Sequence, residues 1–121
     1  MKQDLGISII RTKNIDGPVF GYYGHTVYVI ETRGKDFGNK EVHQVERRFS
    51  DFFSLREGLK QNEDYKKIYW PALPDKKYFG HFEVEFIQNR RERLEAFLQN
   101  LITLDESFKS DGLVQAFLTF D

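Results

Sequence analysis

The chain has no cysteine, which removes disulfides, thiolate metal sites, cysteine nucleophiles and iron–sulfur clusters together. Histidine is scarce too. His25, His43 and His81 are far apart, and none lies within helical or strand spacing of another, so no metal site is expected. An excess of charge of one sign is also missing: 18 Lys and Arg face 19 Asp and Glu, a formal net charge of -1. That balance offers no bulk attraction to nucleic acid or to an anionic bilayer, so no nucleic-acid partner is expected and any anion recognition must be local. No apolar run approaches the roughly 18 to 20 residues that cross a membrane. Met1-Lys2-Gln3-Asp4 lacks the apolar stretch of a secretory signal, so the expectation is a soluble, cytoplasmic chain. There is no Gly-rich phosphate loop and no paired His and carboxylate constellation, so no catalytic residue, no cofactor and no enzyme activity are expected.

What is present is aromatic. Twelve Phe, six Tyr and one Trp in 121 residues supply large side chains for one core, and a single domain spanning 1–121 is the expectation. Leu5 to Arg11 reads as a strand with Leu5, Ile7 and Ile9 on one face, followed by a Gly- and aromatic-rich loop over Asn14 to Gly24. His25 to Arg33 is the strongest strand, because β-branched and aromatic residues dominate it. Lys40 to Phe49 reads as a third, and three strands joined by turns suggest an antiparallel meander. Ser50 is a candidate N-cap for a helix from about Asp51 to Asn62, with Phe52, Leu55 and Leu59 on one stripe. Trp70-Pro71-Ala72-Leu73-Pro74-Asp75-Lys76-Lys77 breaks every regular pattern; its two prolines favour an extended polyproline strip. An amphipathic helix follows over about Glu83 to Leu104, and a shorter one over Ser107 to Phe120. The class is α+β: a three-stranded antiparallel β-sheet packed against a helical subdomain, with a polyproline loop between the first and second helices.

Two places invite an anion. Arg90 projects close to the centre of the apolar stripe of the long helix, and an inward guanidinium needs a partner. A ligand anion, snorkelling past the core edge, or pairing with Glu85 or Asp51 all satisfy it at this point. Arg91 and Arg93 fall at the stripe margins and are expected in solvent. The second place is Arg47-Arg48-Phe49-Ser50-Asp51-Phe52, where a strand end precedes a helix start, so backbone N–H groups, a hydroxyl and an arginine fork can converge on a phosphate. Strand parity sends Arg47 and Arg48 to opposite faces. Only one of them can serve such a site, and an ordinary exposed strand end is the competing reading.

The order strand, Arg-Arg-Phe-Ser-Asp-Phe, helix, aromatic-Pro-x-x-Pro-x-Lys strip at Trp70 to Lys76, and then a helix with Arg90 four residues before Leu94 closely resembles the PX (phox-homology) domain. The resemblance spans essentially the whole chain, with its three motifs in the right order. It implies a basic pocket between sheet and helices for a phosphoinositide headgroup, most often phosphatidylinositol 3-phosphate. In sorting-nexin-like members of the family, that implies a peripheral protein of endosomal membranes working in protein transport. By the same resemblance, Arg48 would grip the 3-phosphate, Ser50 would assist at the helix start, and Phe49 would stack on the inositol ring. Lys76 would contact the 1-phosphate, Arg90 would bond the ring hydroxyls, and Tyr78 and Phe79 would dip into the bilayer. Phe49 stands where tyrosine is more frequent, which keeps stacking and loses a hydroxyl. Asp75 places a negative charge beside Lys76 that opposes approach to an anionic surface. The alternative is a protein-interaction module, because Pro71-Ala72-Leu73-Pro74-Asp75-Lys76 also satisfies the Pro-x-x-Pro-x-basic pattern of Src-homology-three ligands.

Overall fold

In a computed structural model of the chain, residues 6–15, 25–34, 42–74 and 84–120 are described. Strands β1 (Ile7–Ile15), β2 (His25–Arg33) and β3 (Val42–Arg48) form one antiparallel sheet in the order β1-β2-β3. Helices α1 (Phe49–Lys60), α2 (Val84–Leu104) and α3 (Gly112–Thr119) follow, with short 3₁₀ turns at Glu63–Tyr65 and Glu106–Ser110.

The period-2 pattern expected for the first strand holds where it is apolar: Ile7 and Ile9 are buried and Ile10 is exposed. A register shift between Ile9 and Arg11 then carries the strand on to Ile15, past the expected end at Arg11. Polar residues extend it because their side chains find partners across the sheet. Lys13 Nζ meets Glu46 Oε2 at 2.7 Å, and the Thr26 hydroxyl donates to Asn14 Oδ1 at 2.9 Å. β2 runs through the middle of the sheet, and every residue from Val27 to Thr32 is buried. Tyr28, Ile30 and Val45 share the face that meets the helices, where Tyr28, Phe52 and Phe117 stack edge to face with centroids 6.3 Å and 5.0 Å apart.

Three local readings are corrected. Ser50 is not the N-cap of α1: the helix begins at Phe49, and Asp51 in its third position accepts the Arg48 backbone N–H at 2.8 Å. A carboxylate inside the first turn satisfies the preceding donor and complements the helix dipole, which moves the helix start forward and leaves Ser50 within the first turn. The last helix is not continuous from Ser107 to Phe120. Asp111 interrupts it: its Oδ1 accepts the N–H groups of Leu113 and Val114 at 2.8 and 3.4 Å, while its Oδ2 accepts the Tyr65 hydroxyl at 2.9 Å. Arg91 does not point into solvent. Its Nη1 donates to the Ile9 carbonyl at 2.7 Å, Glu95 Oε1 accepts the Ile9 N–H at 2.7 Å, and Gln99 donates to the Ile7 carbonyl at 3.1 Å. Spaced four apart on α2, these three side chains satisfy the outer edge of β1, which would otherwise be open to strand addition.

Residues 68–74 carry no helix or strand. Trp70 lies against Tyr65 and Phe108, with centroids 6.5 and 5.8 Å away, and Ile68 and Leu73 also pack on the core. The remainder of the loop, 75–83, with Lys76, Tyr78 and Phe79, lies outside the described residues, as does 16–24.

Candidate functional site

The end of β3 separates its two arginines by the pleat. Arg47 is paired with Tyr28 and shares its core-side face, while Arg48 is paired with Val27 and lies on the opposite side. Arg47 is committed to the fold. Its Nε donates to the Phe117 carbonyl at 2.8 Å, its Nη2 donates to the carbonyls of Ala116 and Phe120, and its Cζ sits 5.5 Å from the Phe117 ring centroid. A cation over the last carbonyls of α3 satisfies acceptors that the helix leaves open and complements its negative end. Arg48 is exposed, and its guanidinium makes no hydrogen bond or ion pair with another described residue. Its backbone N–H is held by Asp51, which anchors the base of the side chain.

Phe49 and Ser50 follow directly. Ser50 is exposed in the first turn of α1, and Phe49 is half-buried with its ring against Arg90. Arg90, arriving from α2, has 8% of its surface exposed. Its guanidinium carbon lies 4.0 Å from the Phe49 centroid and 4.4 Å from that of Phe86, a cation between two aromatic faces. The Tyr28 phenol is close enough to act on its charge. Two rings and a phenol, rather than the carboxylates of Glu85 or Asp51, are therefore its described surroundings. Burial pushes the Arg90 pKa down, and the Tyr28 phenol pulls it partly back. Burial likewise pushes the Tyr28 phenol up, with Arg90 opposing. A guanidinium stays charged under these conditions, so α2 presents a fixed cation at the edge of the core beneath Phe49.

The fold thus brings Arg48, Phe49, Ser50 and Arg90 to the junction of β3, α1 and α2. It adds a residue that periodicity had not marked. His25 opens β2 half-buried, and Arg48 and Asp51 are the charges that act on it. Burial first and Arg48 second hold its pKa below the ordinary histidine value, while Asp51 works the other way. The signal for it was the pairing of two adjacent strands, which needs the register. Among the described residues no group of His, Asp and Glu is arranged to hold a metal ion, and no helix is long and apolar enough to cross a membrane.

Comparison with known proteins points one way. The chain is 35% identical over 102 residues to vacuolar protein sorting-associated protein vps5 of Schizosaccharomyces pombe, covering 80% of this chain and 17% of that protein. It is 31% identical over 119 residues to sorting nexin 1 of Arabidopsis thaliana, covering 97% of this chain and 28% of that one. The chain therefore spans less than a third of the length of these relatives. Among solved structures, a designed CISK-PX domain superposes with a TM-score of 0.75 at 27% identity, covering 93% of this chain and 96% of that one. The mouse SNX19 PX domain with bound sulphate ion shares the fold, with a TM-score of 0.65 at 24% identity over 95% of each chain. The family model for the PX domain matches residues 35–121, which is more than half of the sequence and includes the β3–α1 junction, the proline strip and Arg90, and the chain belongs to the PX domain family.

Proposed function

We propose that this PX domain is a phosphoinositide-binding, membrane-targeting module that prefers phosphatidylinositol 3-phosphate and serves endosomal sorting from the cytoplasmic face. The observation that carries the reading is the division of labour at the end of β3: Arg47 is spent on α3, and Arg48 is exposed at the start of α1 with no hydrogen bond or ion pair to another described residue. A guanidinium fork beside the first free N–H groups of a helix suits a phosphate monoester. Arg90, clamped under Phe49, is rigid and placed for neutral hydroxyls, and a phosphate at ring position 4 or 5 would crowd it. Ser50 supports the 3-phosphate, Phe49 offers its ring to the inositol, and Lys76 from the loop meets the 1-phosphate. The sorting role follows the names of the vps5 and sorting nexin relatives. No catalytic chemistry belongs to this reading. Flotation with vesicles carrying each phosphoinositide isomer tests it: the 3-phosphate lipid is expected to recruit at least about tenfold more protein than the 4-phosphate or 4,5-bisphosphate lipids, and equal recruitment overturns the assignment.

Membrane residence in this proposal also uses Tyr78 and Phe79 as insertion residues, since a net charge of -1 gives no general attraction to an anionic bilayer. Burying two aromatic side chains at about 25 cal/mol per Å² contributes on the order of 2 to 4 kcal/mol. Replacing both with alanine is expected to leave binding of a soluble short-chain lipid nearly unchanged and to weaken vesicle binding at least about tenfold, while Asp75→Ala strengthens the latter. Equal losses in both assays would place these aromatics in the core. The Src-homology-three alternative is less well supported, because Trp70 and Leu73 pack on the domain itself and Arg56 Nη1 lies 3.5 Å from the Pro71 carbonyl.

A further inference from the structure

We infer that His25 is a further residue of the headgroup site, one that takes up a proton from solvent when a phosphate monoester seats against Arg48, so that binding strengthens as pH falls. The inference rests on the phosphoinositide reading above and adds a residue and a proton to it.

The geometry comes from the sheet. Val27 pairs with Arg48, and His25 lies two residues earlier on β2. By strand alternation it projects on the same face as Val27 and Arg48, level with the first turn of α1. Among the described residues, the charged groups acting on it are Arg48 of β3 and Asp51 of α1. Farther along that face, Lys13 of β1 and Glu46 of β3 are bound to each other at 2.7 Å. Asp51 is itself held by the Arg48 backbone N–H. An anion drawn to Arg48 therefore arrives beside an imidazole whose strongest charged neighbour is a cation.

The sign follows directly. Without ligand, burial and the Arg48 charge both favour the neutral imidazole. A phosphate dianion at Arg48 reverses the local field and favours imidazolium, which then donates to a phosphate oxygen as a second cation. Proton uptake on binding and tighter binding at lower pH are the same statement by linkage. A rise of about one unit in the histidine pKa between the free and bound forms corresponds to a tenfold gain in affinity once both forms are fully protonated. With the free imidazole titrating below its ordinary value, the gain between pH 7.5 and 6.5 is about twofold. The phosphate's own second ionisation near pH 6 weakens every arginine contact as pH falls, so the informative quantity is the ratio between wild type and a His25 variant, in which that common effect cancels.

The experiment has two arms. NMR titration of the His25 ring with and without soluble short-chain phosphatidylinositol 3-phosphate reads the proton directly, and a rise of about one unit is expected. Vesicle flotation of wild type, His25→Gln and His43→Gln at pH 7.5 and 6.5 reads the affinity. The wild-type to His25→Gln ratio is expected to increase about twofold over that range. His43→Gln is expected to behave as wild type, because His43 Nε2 bonds the Thr119 carbonyl at 2.7 Å, at the other end of β3. If the lipid binds while the His25 titration stays in place and the ratio stays flat, this inference is overturned and the phosphoinositide reading survives. If neither the soluble nor the vesicle lipid binds at either pH, both fall.

Discussion

Replacing Arg48 with glutamine is expected to abolish recruitment to vesicles carrying phosphatidylinositol 3-phosphate and to leave thermal unfolding unchanged. The side chain is exposed and makes no hydrogen bond or ion pair with another described residue, so its loss is expected to fall on the ligand. A charge-assisted phosphate contact removed from a partly desolvated site costs on the order of 2 to 5 kcal/mol, roughly thirty-fold to several thousand-fold in affinity. The neighbouring substitution has the opposite profile. Arg47→Gln strips the end of α3 of donors to the carbonyls of Ala116, Phe117 and Phe120, a loss on the order of 1 to 3 kcal/mol that lowers the melting temperature by several degrees. Glutamine retains an amide and recovers part of it. Calorimetry and flotation on the two variants check the assignment together. A fully stable Arg47→Gln protein that has lost lipid binding, beside an Arg48→Gln protein that retains it, would reverse the roles.

Arg90→Met is expected to reduce lipid binding at least about a hundredfold while the melting temperature of the ligand-free domain holds within a few degrees or rises. Three effects decide the stability side. Methionine keeps a flexible apolar stem in the slot between Phe49 and Phe86, so little packing is lost. The desolvation of a buried guanidinium is relieved, while its cation–π attraction of about 1 to 2 kcal/mol disappears. Arg90→Ala behaves differently, because truncation leaves a void between the two rings and destabilises by an additional cavity cost. A large fall in ligand-free stability for Arg90→Met would make Arg90 a structural cation that holds α2 to the sheet, and Phe49 would then be anchored rather than offered to an inositol ring.

Much of this was legible in the residues because burial is periodic. The β-branched run of β2 and the stripe of Phe97, Leu98, Leu101 and Ile102 on α2 mark their buried faces without reference to anything distant. Arg90 falls within that stripe by angle alone, so its inward direction could be read before its neighbours were known. Motif order in the chain carried the family. The register between β2 and β3 was of another kind. Parity says that Arg47 and Arg48 part company, but only the pairing with Tyr28 and Val27 decides which of them meets α3 and which stays exposed. The same pairing brings His25 beside Arg48, a proximity with no trace in linear spacing. Helix ends were equally non-local or finely balanced. Asp51 accepts the Arg48 N–H and the helix begins before Ser50, which was expected to cap it, and Asp111 divides the last helix with a carboxylate shared with Tyr65. Arg91 looked like a solvated margin because a polar residue facing water and one facing a bare strand edge have the same periodicity. Side-chain period and propensity are properties of a few consecutive residues, and the sequence alone determined what depends on them: the class, the core stripes and the inward arginine. Which polar group meets which depends on pairing between segments distant in the chain, and that was decided only when the sheet closed and α2 packed across its edge.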